Sequence, residues 1–154
     1  MERLYRMLYP MRVCLITSRS GVKDNVMSAS WVFPLSMDPP LFGVSVSKKR
    51  HSHALIRDGK AFAINIPSEK MQDIVTLCGT RSGKDCDKFA EAKLVKEEGL
   101  RVPLVKDCLA SIECELVQEI ETGDHVVFVG KAVKIVKRKD GKGLYQSADG
   151  FVSV

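Results

Sequence analysis

The sequence predicts a mainly β domain with short helices, folded as an antiparallel barrel. Two long strand-forming runs, residues 103–121 and 124–138, flank Thr122 and Gly123, a strong hairpin signal with glycine in the turn. Four shorter runs at residues 11–18, 26–33, 41–46 and 61–66 are rich in β-formers and separated by turn residues. Only two short helical patterns are inserted among them, which is the element order of a barrel made mainly of hairpins. At 154 residues and 45% hydrophobic content the chain fits one domain, 1–154, with a core of its own.

In order along the chain, residues 2–9 form one or two helical turns ended by Pro10, a lid or edge brace with Leu4, Met7 and Leu8 on one side. Residues 11–18 alternate around Val13, Leu15 and Thr17 as a strand, and residues 20–25 turn through Gly21. The strand at 26–33 carries Ser28, Ala29 and Ser30 ahead of Trp31, the only tryptophan; small side chains there let a flat ligand approach the backbone. Residues 34–40, with three prolines, read as a stiff loop into the strand at 41–46. A helix over 53–58 follows, with Ser52 as its N-cap and Gly59 closing it.

After the strand at 61–66, Met71, Ile74, Val75 and Cys78 recur at helical spacing within 69–80, with Gly79 ending the helix. Residues 81–87 are a polar loop, anchored by Phe89. Within 110–116, Ala110, Ile112, Cys114 and Leu116 are expected on a core face and Ser111, Glu113 and Glu115 on a solvated one. The parity slips at Val117, which predicts a bulge. Residues 126–129 are apolar on both faces and need cover on both, which a second subunit could supply.

Composition narrows the function. No run of about 18 apolar residues spans a membrane, and the N-terminus lacks the apolar stretch of a signal peptide, so the expected location is cytoplasmic. Five cysteines with no CxxC pair fit reduced thiols in the core better than disulfides or zinc, and no metal is expected. The net charge of +5 is partly explained by six basic residues between 131 and 142. A basic surface can bind nucleic acid, but 6% aromatic content and the absence of an RNA-binding signature make that a remote alternative.

The segment at 41–53, LFGVSVSKKRHSH, concentrates the chemistry. A strand there breaks into cationic and hydroxylic side chains just ahead of a helix, whose free N–H groups and positive dipole end suit a phosphate. A solvated basic turn fits the same residues, so this stretch alone leaves both readings open.

The order of motifs resolves it by resemblance. Asn25-Val-Met-Ser-Ala-Ser-Trp31, Val44-Ser-Val-Ser47 with the basic turn and Ser52-His-Ala, Gly59-Lys-Ala-Phe-Ala-Ile-Asn65, Cys78-Gly-Thr-Arg-Ser-Gly83 with Asp87-Lys-Phe89, and Gly123-Asp-His125 with Phe128-Val-Gly130 stand in sequence. Together they resemble the flavin reductase-like FMN-binding split-barrel family, nearest to its flavoredoxin and archaeal ferric reductase branches. The resemblance covers nearly the whole chain. It implies a split barrel that binds FMN as a homodimer, with the flavin near the interface, and NAD(P)H as a transient hydride donor. Fe(III), free flavin or a partner protein would be the electron acceptor; a flavoredoxin-type carrier reduced by a protein donor is the alternative.

The resemblance also implies the site residues. Ser47, Arg50, His51 and Ser52 would contact the phosphate and ribityl chain. Asn25 would reach the flavin, and Met27, Ser28, Ala29 and Ser30 would run along the ring edge, with Ser45 in the facing strand. Trp31, Lys88, His125 and Phe151 would surround the ring, His125 being the possible catalytic residue. Ser52 stands where many relatives carry threonine and Phe151 where many carry tyrosine. Only three residues follow Phe151, so a nicotinamide-facing wall made by a longer C-terminal tail is not expected. No GxGxxG follows a strand, so the donor would bind at the flavin face and not in a Rossmann domain.

Overall fold

The computed structural model describes residues 2–154. A 3-10 turn at Leu4–Leu8 precedes β1 (Met11–Arg12), β2 (Cys14–Ser20), β3 (Lys23–Ala29), β4 (Val32–Ser36) and β5 (Leu41–Ser47). Then come α1 (His51–Gly59), β6 (Ala61–Ile66), a 3-10 turn at Glu69–Met71, α2 (Gln72–Thr80) and α3 (Lys88–Glu91). Strands β7 (Lys96–Glu98), β8 (Pro103–Val105), β9 (Ala110–Thr122), β10 (His125–Lys137), β11 (Leu144–Ser147) and β12 (Gly150–Ser153) complete the chain.

Seven strands form one antiparallel sheet in the order β3-β2-β6-β9-β10-β5-β4, beside small sheets β1-β11-β12 and β7-β8. The large sheet is rolled into a barrel. Ile16, Met27, Val44, Val46, Phe62, Ile64, Cys114, Val126 and Phe128, drawn from both ends of the strand order, meet in one buried cluster. Outside the barrel, Val13, Leu15 and Val26 pack with Met71, Val75 and Cys78 of α2 and with Phe89 of α3. Strand β2 is thus covered on both faces, which explains its unbroken run of buried residues. The edge strands β3 and β4 are joined only through Ser30 and Trp31, and this leaves the barrel split beside the facing strand β5.

The bulge at Val117 is present: Val129 pairs with Gln118 and Gly130 with Leu116, so Val117 has no partner in the register. The hairpin loop is Gly123–Asp124, with Gly123 at φ +71, as the first position of a type II′ turn requires.

Several local expectations are corrected. Ser52 is not the N-cap; Arg50 is, without a side-chain hydrogen bond, and the helix starts at His51. Gly59 is the last residue of α1, with Lys60 as the left-handed C-cap, while Gly79 lies inside α2, whose C-cap is Arg81. The run 103–121 is two strands, and the stiff loop of 34–40 begins as strand β4, whose edge position tolerates Pro34. Val126, Phe128 and Val129 are buried within the single chain, so residues 126–129 do not require a second subunit for cover.

The expected wet face of β9 is dry at two positions. Ser111 donates to Oδ1 of Asn65 at 2.6 Å. Glu113, 1% exposed, accepts the backbone N–H groups of Leu100, Arg101 and Val102 at 2.7, 2.6 and 3.1 Å. A buried carboxylate is tolerated because its oxygens are met by donors.

All five cysteines are free; Cys14, Cys78, Cys108 and Cys114 are buried and Cys86 is half-buried. Burial pushes the thiols of Cys14 and Cys114 up to about 12 and that of Cys78 up to about 11, and it raises Cys108 as well. Among the described residues no helix is long and apolar enough to cross a membrane.

Candidate functional site

Two adjoining cavities open at the split. The smaller, about 200 Å³, lies at the start of α1 and is lined by Asn25, Met27, Lys49, Arg50, His51, Ser52, Lys88 and the 80–83 loop. The larger, about 600 Å³, is bounded by β3 and β5, α2, the N-terminal turn and the β11–β12 hairpin. Met27, Arg50 and Thr80 line both, so the two form one continuous cleft of the size that small-molecule sites occupy.

The smaller end is an anion cradle. Because α1 has no side-chain cap and, of its first-turn N–H groups, His53 N is taken by Arg50 O at 3.1 Å, those of His51 and Ser52 are left for an incoming acceptor. Asn25, 3% exposed, donates to Oγ of Ser52 at 2.8 Å and fixes that hydroxyl from β3. The last turn of α2 holds two cations by its carbonyls: Nη1 of Arg50 donates to Gly79 O at 3.3 Å and Nζ of Lys88 to Cys78 O at 3.2 Å. Those contacts use the negative end of the helix dipole. Gly83 leaves the floor open, since a Cβ there would overlap Oδ1 of Asn25 and press on the His51 ring.

The electrostatics suit an anion. Lys88 is only 4% exposed and has no carboxylate partner among the described residues. Burial holds its ammonium below the ordinary 10.5. Burial, together with Lys23, Lys84 and Lys88, likewise holds the His51 imidazole below its ordinary value, and its Nε2 is buried without a partner. An anion in the cradle would reverse both shifts by favouring the charged forms.

The larger end is flat and aromatic. Trp31 stacks on His125 with centroids 4.6 Å apart and planes 28° from parallel, and Tyr5 meets the same indole edge-on at 5.3 Å. Tyr5 and Tyr9 are themselves edge to face at 6.0 Å. Opposite them runs the small-residue segment Ser28, Ala29, Ser30, with Oγ of Ser28 tied to Val75 O of α2 at 2.5 Å. Phe151 and Gln146 close the side formed by the small sheet.

All fourteen residues expected from the sequence line this cleft. Asn25, His51, Ser52 and Lys88 stand at the small end, Met27 and Arg50 at the junction, and Ser28, Ala29, Ser30, Trp31, Ser45, Ser47, His125 and Phe151 at the large end, so Lys88, expected beside the ring, lies in the cradle, and Ser47, expected at the phosphate, lines the aromatic end. The sequence reading omitted Tyr5, Tyr9, Thr76, Lys49, Gln146 and the 80–83 loop. The loop carried a signal, a hydroxyl- and guanidinium-bearing run next to glycine at the end of a helix. Lys49 carried one too, standing in the basic turn of 41–53; Tyr5, Tyr9, Thr76 and Gln146 carried none, since only tertiary packing brings them to the cleft.

By comparison with known proteins, this split antiparallel barrel with its cationic cradle and flat aromatic cleft is a flavin-related oxidoreductase or electron carrier. The flavin reductase like domain model matches residues 4–154, and the chain belongs to that family. It is 40% identical over 136 residues to an uncharacterized protein of Pyrococcus abyssi, a match covering 88% of this chain and 79% of that one. Its structure is similar to an FMN-binding protein from Thermus thermophilus solved with bound 1-cyclohex-2-enone, at TM-score 0.88 and 28% identity over 97% of this chain and 89% of that one. It is similar also to flavoredoxin from Methanosarcina acetivorans, at TM-score 0.88 and 26% identity over 96% of this chain and 86% of that one.

Proposed function

We propose that the protein binds FMN in this cleft and works as an NAD(P)H-dependent flavin or ferric reductase. The observation that carries the reading is the continuity of the two cavities, one built for a dianion and the other for a flat ring. The donor set fits: Ser47, Arg50, His51, Ser52 and Lys88 would hold the phosphate and ribityl chain, and the Met27–Ser30 backbone would flank the ring. FMN, when bound, would supply the redox chemistry, accepting a hydride and releasing electrons to an acceptor. The chain's own contribution is to neutralise the phosphate, to exclude water from the ring through Trp31 and Phe151, and to leave the Tyr5–His125 side open to a second ligand. The reading includes a homodimer, for which Val117, Ile120, Val133 and Ile135 of the β9–β10 hairpin, all 40% or more exposed, offer an apolar surface. Sedimentation velocity tests it.

The deciding experiment is a visible spectrum of the purified protein, followed by anaerobic NADH and then NADPH. A flavin spectrum bleached by either nucleotide supports the reductase. A flavin spectrum that resists both but bleaches with reduced ferredoxin supports a carrier, the reading favoured by the likeness to flavoredoxin. A colourless protein that takes up no FMN overturns both.

Two predictions follow from the site. Trp31 is the only tryptophan, so FMN addition is expected to quench most of the intrinsic indole fluorescence, and Trp31→Phe to abolish that signal while leaving FMN uptake measurable by absorbance. FMN binding is also expected to take up protons. His51 and Lys88 both stand below their ordinary values, and a phosphate dianion favours their charged forms. Affinity should therefore fall as pH rises above neutral, where the phosphate is already a dianion. Calorimetric titration in two buffers of different ionisation heat reads the proton uptake directly.

A further inference from the structure

We infer that Asp124 is a positioning residue: its carboxylate holds His125 in the Nδ1–H tautomer, so that Nε2 is offered as a hydrogen-bond acceptor to a planar second ligand in the larger cavity. The ligand's identity rests on the FMN reading above; the positioning itself does not.

Nδ1 of His125 lies 2.7 Å from Oδ1 of Asp124. An ionised carboxylate can only accept, so Nδ1 is the donor and the lone pair of the neutral ring sits on Nε2. Asp124 is held below the ordinary carboxylate range by this hydrogen bond, in keeping with an ionised partner. One face of the ring and the backbone that carries it are also fixed. Trp31 stacks on its face. The backbone of His125 pairs with Thr122 and Ser47, and Oγ1 of Thr122 donates to its carbonyl at 3.0 Å. The turn that carries Asp124 is held in place by Lys48 N donating to its carbonyl at 3.0 Å. Nε2, by contrast, has no hydrogen bond among the described residues and is not among the buried orphan atoms, and the ring lines the cleft.

An acceptor beside an indole and a phenol edge selects a flat ligand that carries an N–H donor. Within the proposed reaction, the carboxamide of a reduced pyridine nucleotide has that chemistry. Asp124 itself is exposed and does not line the cavity, so it acts only through His125.

The test compares wild type, Asp124→Asn and Asp124→Glu. In FMN-free protein under alkaline conditions, where imidazole is neutral, ring nitrogen NMR reports the tautomer, with His125→Gln assigning the resonances. The expected result is Nδ1–H in wild type, a shift toward the other tautomer in Asp124→Asn, and restoration in Asp124→Glu. In FMN-loaded protein, Asp124→Asn should raise KM for NADH or NADPH about 3- to 10-fold, the range of one hydrogen bond, with kcat and FMN affinity nearly unchanged. Wild type in the Nε2–H form, or an unchanged tautomer in Asp124→Asn, overturns the inference and leaves the FMN reading standing. A shifted tautomer with unchanged KM overturns the nucleotide contact. A protein that takes up no FMN overturns the functional reading, while the tautomer measurement still decides the positioning role.

Discussion

Lys88→Met is expected to weaken FMN binding about 10- to 100-fold while leaving the FMN-free protein equally or more stable to heat. The two halves of that result have one cause. A nearly buried ammonium whose one hydrogen bond among the described residues goes to the carbonyl of Cys78 has lost most of its hydration without gaining an opposite charge. Methionine fills a similar volume with no such penalty. Toward a phosphate the same ammonium donates a charge-assisted hydrogen bond, worth about 1.5–3 kcal/mol, and its loss gives the stated change in affinity. The pH dependence has a definite sign. Because the folded-state value of Lys88 lies below the ordinary 10.5, the unfolded chain binds more protons between the two values. Stability of the FMN-free wild type should therefore rise with pH across that window, and Lys88→Met should flatten the rise. Thermal melts and FMN titrations of both proteins check the result; a destabilised variant with unchanged FMN affinity would assign Lys88 a structural role instead.

Glu113→Ala should cost about 3–5 kcal/mol of stability, measured by chemical denaturation. Its carboxylate is the acceptor for three consecutive backbone N–H groups, at Leu100, Arg101 and Val102. Each buried donor left without a partner costs about 1–3 kcal/mol, and water can reach part of the exposed turn at Leu100 and Arg101. Glu113→Gln keeps one acceptor oxygen and turns an amide N–H₂ toward the other donors, so a smaller loss is expected. If Glu113→Ala melts like wild type, the carboxylate does not hold this turn.

Glu113 also shows where reading from sequence stops. The period-2 alternation of 110–116 separates two faces, and it did so, since Ile112, Cys114 and Leu116 pack into the barrel cluster. Alternation says nothing of what stands on the other face. The cover there is the 99–102 turn and the β7–β8 hairpin, which have no strong periodic signal and reach Glu113 only through tertiary packing. Helix α1 failed differently. Ser52 has the chemistry of an N-cap, but Asn25 on a distant strand claims its hydroxyl, and the helix begins one residue before it. The cleft residues of β3, β5 and the basic turn were legible because local strand and helix-start signals place them. The aromatic wall from Tyr5 and Tyr9 was not, because its position depends on Trp31.

The distribution of thiols gives the protein a built-in clock. Four of the five are sealed in the barrel or beneath α2 with ionisation suppressed, and only Cys86, on the polar loop ahead of α3, is within reach of an alkylating reagent. In the native state one label per chain should therefore be incorporated quickly. The next four arrive only when the barrel opens, so the mass spectrum of a timed labelling series counts opening events without any engineered residue.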